Sequence, residues 1–179
     1  MATRSILGKI RSLNPLRNWI VPKIVLRLAG AGIVTHVILS HGFDVVSPYG
    51  ISMLPTSAHD GDWILLDKTK RRGRNIKVGD VISFKHPIMP YYGLKRVIAM
   101  PGDFVLAGSP DAKGGELEGQ MMQVPDGHCF VAGDNQKFSR DSRIFGPLPL
   151  ALIQGKVTMF LWPLHSFGPP KGGLQDPES

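Results

Sequence analysis

The sequence YGISMLPT, residues 49–56, holds a serine in a short loop punctuated by glycine and proline, directly after a β-type run at residues 43–47. Loops carried on a rigid scaffold supply many catalytic groups. Ser52 is therefore a candidate nucleophile, but a serine hydroxyl reacts at neutral pH only when a base takes its proton. The fold must bring that base to Ser52 from another part of the chain.

The best candidate base is Lys95, in the run GLKRVIAMPGD at residues 93–103. A free lysine has a pKa of about 10.4, so it can accept a proton near pH 7 only where burial lowers that pKa. Apolar residues surround Lys95 in the sequence and predict such burial. Neighbours on a strand point to opposite faces, so we expect Arg96 to face away from Lys95 and to pair with Asp134 or Asp141.

A third block, GDNQKFSRDSR, occupies residues 133–143. Taken in order, the three blocks resemble the type I signal peptidase family, whose members use a serine–lysine dyad. The resemblance extends from about residue 46 to residue 149. Within the family, the chain is most similar to the mitochondrial inner-membrane members. A bacterial-type leader peptidase and a non-catalytic subunit of a peptidase complex remain the alternatives.

The resemblance implies roles for individual residues. Ser52 and Lys95 would be the catalytic pair, and Ser139 matches the serine that hydrogen-bonds to the lysine and orients it. Asp141 and Arg143 match a structural ion pair. The implied activity is cleavage of sorting peptides from precursor proteins delivered to the mitochondrial intermembrane space. The implied partner is a second, related peptidase subunit, with which the chain would form a heterodimer.

Gly50 departs from the family pattern. Many members have a hydroxyl residue two positions before the nucleophile, and its side chain donates a hydrogen bond to the oxyanion. Gly50 offers no such donor, so the backbone N–H of Ser52 and a further backbone group or water must stabilise the developing charge. The resemblance also matches residues 133–135, which include Asp134, to a turn that packs against the site.

Substrate is expected to bind as an added strand beside the segments that carry Ser52 and Lys95. Val46, Pro48 and Leu94 are the predicted walls of its pocket. The histidines show no metal-ligand spacing and no phosphate-binding glycine loop is present, so no metal and no cofactor are predicted. A Ser–His pairing with His59 is the competing interpretation, but a surface-loop histidine is the expected one.

Charge is distributed unevenly along the 179 residues, whose net charge is +7. Residues 1–43 hold six basic residues and no acid, whereas the remainder holds fifteen basic and fourteen acidic residues. A nucleic-acid surface on the folded part is therefore not predicted. The chain's one cysteine, Cys129, excludes an intrachain disulfide.

The sequence of the N-terminal part predicts a membrane anchor. Residues 1–23 form a basic segment of the kind seen in mitochondrial targeting, and residues 24–40 are predicted to form a single transmembrane helix in the lipid bilayer. Because basic residues precede the apolar run, the positive-inside rule places the N-terminus on the matrix or cytosolic face. The catalytic domain would then face the intermembrane space.

From residue 43 the pattern changes to short β-type runs separated by Gly, Pro and Asp turns, which predicts an all-β, antiparallel, signal-peptidase-like domain. We expect this peptidase domain to span residues 43–166 and residues 167–179 to be a disordered tail. The basic run at residues 68–77 is predicted to be a solvated loop or a contact with anionic headgroups. The predicted strands are 43–47, 63–67, 80–85, 93–100, 103–107, 120–124, 128–132 and 156–162.

Overall fold

The computed structural model describes residues 15–57, 61–107 and 120–170. Some predictions fall outside these ranges: those for the first fourteen residues, for His59 and for residues 171–179. The chain divides into two compact units, which meet between His41 and Gly42.

The first unit contains helix α1, Pro15–Val37, which continues as a π-helical turn at Ile38–Gly42. The helix begins earlier than the predicted residue 24 and includes Pro22. From Ile20 to Gly42 it is long and apolar enough to cross a membrane, by length and composition. Its large apolar side chains are exposed rather than packed in a protein core, which is the arrangement that a lipid-facing helix requires.

The second unit is built from antiparallel strands, as predicted. Seven of them form one curved sheet in the order β1–β2–β9–β3–β4–β7–β8, and β5 pairs with β6 in a separate ribbon. Every pairing of strands in the described part is antiparallel. The strands are β1 Phe43–Val46, β2 Trp63–Asp67, β3 Val81–Lys85, β4 Tyr92–Ala99, β5 Phe104–Ala107, β6 Gln120–Gln123, β7 His128–Ala132, β8 Leu148–Pro149 and β9 Ile153–Trp162.

Two details of the strand prediction are corrected. Strand β8 was not predicted, because two residues ending in proline carry no alternating pattern. Strand β9 starts at Ile153 rather than at residue 156, since its first residues already alternate between buried and partly exposed positions. The described fold also continues past residue 166, because Gly168 exchanges backbone hydrogen bonds with Phe160.

One cluster of buried side chains links the loop at residues 49–56 to the sheet. Met53, next to Ser52, is only 3% exposed and packs with Ile64 and Leu66 of β2 and with Val157 of β9. Burying a methionine side chain contributes about 1.5–3 kcal/mol. Met53 therefore anchors the loop, while Ser52 beside it remains partly exposed.

Candidate active site

The fold brings Ser52 and Lys95 into contact. Ser52 lies in the loop after β1 and Lys95 lies on β4, and the Ser52 Oγ and Lys95 Nζ atoms are 2.7 Å apart. The amine also donates to the carbonyl oxygen of Leu94 over 2.9 Å. The two bonds hold the amine beside the hydroxyl, in the geometry that proton transfer between them requires.

The environment of Lys95 lowers its basicity. The residue is 6% exposed, and this burial lowers the pKa of its amine to about 8, although the charges of Asp141 and Asp134 act in the opposite direction. Burial disfavours the charged ammonium because the interior solvates it poorly. A substantial neutral fraction of Lys95 therefore exists close to physiological pH.

Arg96, the next residue on β4, faces away from the cleft and pairs with Asp134. Its Nε and Nη2 atoms lie 2.8 and 2.7 Å from the two carboxylate oxygens of Asp134, and Nη1 donates to the carbonyl of Gly79 over 2.8 Å. Thr56 also donates to Asp134. Of the two acids that the sequence offered as partners, Arg96 thus binds Asp134, through a buried two-pronged ion pair.

Asp141 has a different arginine partner. The Nε and Nη2 atoms of Arg143 lie 2.8 and 2.9 Å from its carboxylate, which also accepts the backbone N–H of Gly133 over 3.0 Å. The same carboxylate caps the short helix α2, Ser142–Phe145, through the N–H of Arg143. Burial raises the pKa of Asp141, but the hydrogen bonds from Arg143, Ser139 and the Gly133 N–H, together with the charge of Arg143, outweigh it and lower that pKa.

The turn at residues 133–135 holds the loop that carries the nucleophile. The backbone N–H of Asn135 donates to the carbonyl of Ser52 over 3.1 Å, and its side-chain amide donates to the carbonyl of Ile51, also over 3.1 Å. Gly133 lies so close that a Cβ there would overlap the Ser52 carbonyl and Ser139 Oγ. The packing of this turn against the loop agrees with the geometry that the resemblance implied.

The predicted hydrogen bond from Ser139 to Lys95 is not formed. Ser139 is 8% exposed, and its hydroxyl contributes, with Arg143 and Gly133, to the lowered pKa of Asp141. The Lys95 amine instead uses Ser52 and the carbonyl of Leu94, while Ser139 packs against Gly133. The role of Ser139 in orienting Lys95 stays a prediction.

Gly50 has a backbone conformation that favours glycine, with φ at +113°. A residue with a side chain is strained at this φ, so a hydroxyl-bearing residue would be strained in this conformation. In the described part of the chain, the backbone N–H of Ser52 donates to no protein acceptor. That N–H is therefore free to bind an oxyanion.

A cleft of about 1000 Å³ opens beside the Ser52–Lys95 pair, and the three predicted pocket residues, Val46, Pro48 and Leu94, all line it. Sequence reasoning did not find several other lining residues, although some lie next to the motifs it used. These additional residues are Tyr49, Met53, Lys68, Arg71, His86, Tyr91, Tyr92, Phe138 and Arg140.

His86, one of these, is held as a neutral imidazole. Its Nδ1 accepts the backbone N–H groups of Ile88 and Met89 over 3.2 and 3.1 Å, so its proton is on Nε2. Burial, followed by the charge of Lys95, lowers the pKa of His86. The histidine therefore adds no positive charge beside the lysine near neutral pH.

The sequence matches the family described as "Signal peptidase, peptidase S26" over residues 17–110 and 108–162. The chain belongs to this family of peptidases. A solved signal peptidase I from Enterococcus faecalis is 25% identical, with a TM-score of 0.38, and the match covers 47% of this chain and 97% of that one.

Several relatives are named as subunits of a mitochondrial inner membrane protease. The chain is 40% identical to mitochondrial inner membrane protease subunit 1 of Xenopus tropicalis, over 81% of this chain and 87% of the relative. It is 35% identical to the human protein of the same name, over 76% and 80% of the two chains. Subunit 2 of Danio rerio is 33% identical over 73% and 70%. The predicted similarity to the mitochondrial inner-membrane members is thereby confirmed.

Proposed function

We propose that this chain is a membrane-anchored serine endopeptidase that removes sorting peptides from proteins delivered to the mitochondrial intermembrane space. The observation that carries the proposal is the 2.7 Å approach of the Ser52 hydroxyl to the buried amine of Lys95, beside a cleft large enough for an extended peptide. Lysine is a base only when desolvated, and here its pKa is lowered to about 8.

In the first half-reaction, neutral Lys95 accepts the proton of Ser52 while Oγ attacks the carbonyl carbon of the scissile peptide bond. The carbonyl oxygen becomes an oxyanion, which the backbone N–H of Ser52 stabilises. Preorganised donors of this kind are often the largest single contribution to catalysis. The tetrahedral intermediate then collapses, the C–N bond breaks, and the Lys95 ammonium gives its proton to the leaving amine.

In the second half-reaction, neutral Lys95 takes a proton from a water molecule. The resulting hydroxide attacks the acyl carbon, the ester bond to Ser52 breaks, and the lysine proton returns to Oγ. The products are the released carboxylic acid and a regenerated Ser52–Lys95 pair. Asp134 and Asp141 do not enter the chemistry in this scheme, since each carboxylate is bound to its own arginine.

The substrate would lie along β1, the edge strand of the sheet, whose outer side is unpaired in the described fold. Backbone hydrogen bonds to an edge strand give affinity, and pockets for alternate side chains give specificity. Val46, Pro48 and Leu94 flank the Ser52–Lys95 pair in the cleft. We assign to them the pocket for the substrate residues just before the cut.

We assign the location and the partner from the relatives' names and the charge pattern. Relatives are named as subunits 1 and 2 of a mitochondrial inner membrane protease, which supports a complex with a second, related subunit. Helix α1 would be the anchor, with the basic segment that precedes it in the matrix. The peptidase domain, from residue 43 onward, would then face the intermembrane space.

The test is cleavage of candidate precursors by the purified full-length chain, with and without the related subunit. Ser52→Ala and Lys95→Met should each abolish cleavage and leave the circular dichroism spectrum unchanged. Ser166→Ala and Lys85→Met are matched controls, because neither residue lines the cleft and neither lies in the proposed dyad. Cleavage that persists in either dyad variant would refute the mechanism.

A further inference from the structure

The basic run at residues 68–77 contains an ordered segment. Residues Lys68–Gly73 form a 3₁₀-helical segment, whose N-terminus is capped by Asp67 through the N–H and the hydroxyl of Thr69, at 2.9 and 2.6 Å. At its other end, a Cβ on Gly73 would lie 2.9 Å from Leu150 Cβ. This basic segment therefore packs on the β-domain and is more constrained than the solvated loop that its charge predicted.

Two of its cations line the same cleft as Ser52. Arg71 donates to the neutral amide oxygen of Gln154 over 3.3 Å, and Lys68 lies 3.0 Å from the carboxylate of Asp44. Arg140 adds a third cation besides Lys95. Among the described residues that line the cleft, Asp44 is the one carboxylate, so the cleft carries a positive excess.

This excess is local. From residue 44 to residue 179 the sequence has fifteen basic and fourteen acidic residues, so the domain as a whole is almost balanced. Charges that share a cleft with low-dielectric walls act together and attract ligands of the opposite sign. The positive cleft thus points to the charge of its substrate rather than to a generally basic protein surface.

The register of the sheet gives the position of these cations relative to the reacting bond. Phe43, the first residue of β1, pairs with Asp67, which directly precedes the basic segment, whereas Ser52 follows the other end of β1. A peptide extended along β1 advances about 3.3 Å per residue. Such a peptide would reach Lys68 and Arg71 at roughly five to eight residues from the scissile bond.

We propose that Lys68 and Arg71 select substrates that carry acidic side chains at this distance from the cut. The inference rests on the proposed peptidase function and adds a charge preference to it. Carboxylates at those positions would replace water around the two cations and strengthen the binding of the extended peptide. Charge complementarity at the rim of a binding site acts chiefly on association and is sensitive to salt.

The experiment compares peptides that differ only in charge. An adjacent Asp pair, or the isosteric Asn pair, is moved through positions five to eight on each side of the cleavage site. The full-length chain in uncharged detergent should cleave the best Asp peptide with a kcat/KM about fivefold above its Asn counterpart at low salt. We expect this ratio to fall close to one at high salt and in Arg71→Glu.

Arg74→Glu is the matched control. Arg74 is exposed, belongs to the same basic run and is absent from the residues that line the cleft, so its reversal changes net charge equally. It should keep the Asp preference. Ratios near one at every position, or an equal loss of preference in both variants, would overturn the inference.

Two further readouts separate the possible failures. Ser52→Ala, which cannot react, should still bind the Asp peptide more tightly than the Asn peptide. If Ser52→Ala shows this binding preference but the wild-type chain cleaves neither peptide, the proposed function is wrong and the charge preference still holds. Conversely, if Arg71→Glu slows both peptides only after phosphatidylserine is added to the micelles, the basic segment contacts headgroups and the inference is wrong.

Discussion

Asn135 is hydrogen-bonded to Ser52 through the backbone, since its N–H donates to the Ser52 carbonyl over 3.1 Å. The bond joins the turn after β7 to the loop after β1, and neither segment belongs to a strand. With the second bond from the Asn135 side chain to Ile51, the turn holds the backbone on both sides of the Ile51–Ser52 peptide. The position of the nucleophile therefore depends on residues that do not react.

Gly133→Ala should displace this loop. A methyl group at Gly133 would overlap the Ser52 carbonyl oxygen and Ser139, and backbone atoms cannot move aside cheaply. We expect kcat/KM to fall by more than about tenfold and the unfolding free energy to fall by about 1–3 kcal/mol. Initial rates and thermal unfolding measure the two effects. If Gly133→Ala kept the wild-type kcat/KM and unfolding free energy, the close approach of Gly133 to the loop would not matter for activity or stability.

The pH dependence should follow Lys95. Since its pKa is about 8 and the neutral amine is the base, kcat/KM should rise with pH below about 8 and level off above it. At lower pH Lys95 is protonated and cannot act as the base, so the rate falls as the pH falls. His86 does not account for a rise near this pH, because its pKa is lowered from the usual value. A profile that stays flat through this range would exclude Lys95 as the titrating base.

Arg143→Gln should move the midpoint of that pH profile to higher pH. The charge of Asp141 raises the pKa of Lys95, and Arg143 neutralises that charge at 2.8 Å. Without the guanidinium, the buried carboxylate acts more strongly on the amine and is itself destabilised, at a cost of about 3–5 kcal/mol in unfolding free energy.

The double variant Asp141→Asn/Arg143→Gln is the control for this shift. It removes the carboxylate together with its partner, so the midpoint of the profile should fall below the wild-type value. Rate measurements as a function of pH on both variants distinguish an electrostatic effect from a general loss of structure. Midpoints that move in the same direction would contradict the electrostatic account.

Deleting residues 1–42 should release the β-domain from membranes. Helix α1 belongs to a compact unit separate from the residues that begin at Gly42. Carbonate extraction and circular dichroism measure the outcome, which should be a soluble chain with β-type structure. A deletion variant that stays in the membrane pellet would place an anchor elsewhere.

Much of the β-domain could be predicted from the sequence, because local pattern determines it. Strands β2 and β7 have the predicted bounds, β3, β5 and β6 differ by one residue at one end, and β4 differs by one residue at both ends. Alternating burial and Gly, Pro or Asp turns are local signals. The start of α1 was missed because Pro22 and Lys23 resemble a helix boundary, although proline is tolerated in lipid-facing helices.

The site was predictable in its residues but not in all of its contacts. The blocks around Ser52 and Lys95 indicated the dyad, yet the partner of Arg96 stayed open between two acids. Local geometry decides it, since Asp141 caps the helix that begins beside Arg143. The position of Arg71 in the cleft could not be predicted from the sequence, because a run of basic residues does not show which of its side chains turns toward a site. The position of Ser139 likewise reflects packing at Gly133.

Lys95 and Arg96 are neighbours on β4, one turned toward the cleft and the other toward Asp134. A slip of this strand by a single residue would exchange the two, because alternate side chains face opposite sides of a sheet. The cleft would then hold a guanidinium, which cannot be deprotonated in a protein. The Arg96–Asp134 ion pair thus helps to fix the register of β4, and with it the identity of the residue that faces Ser52.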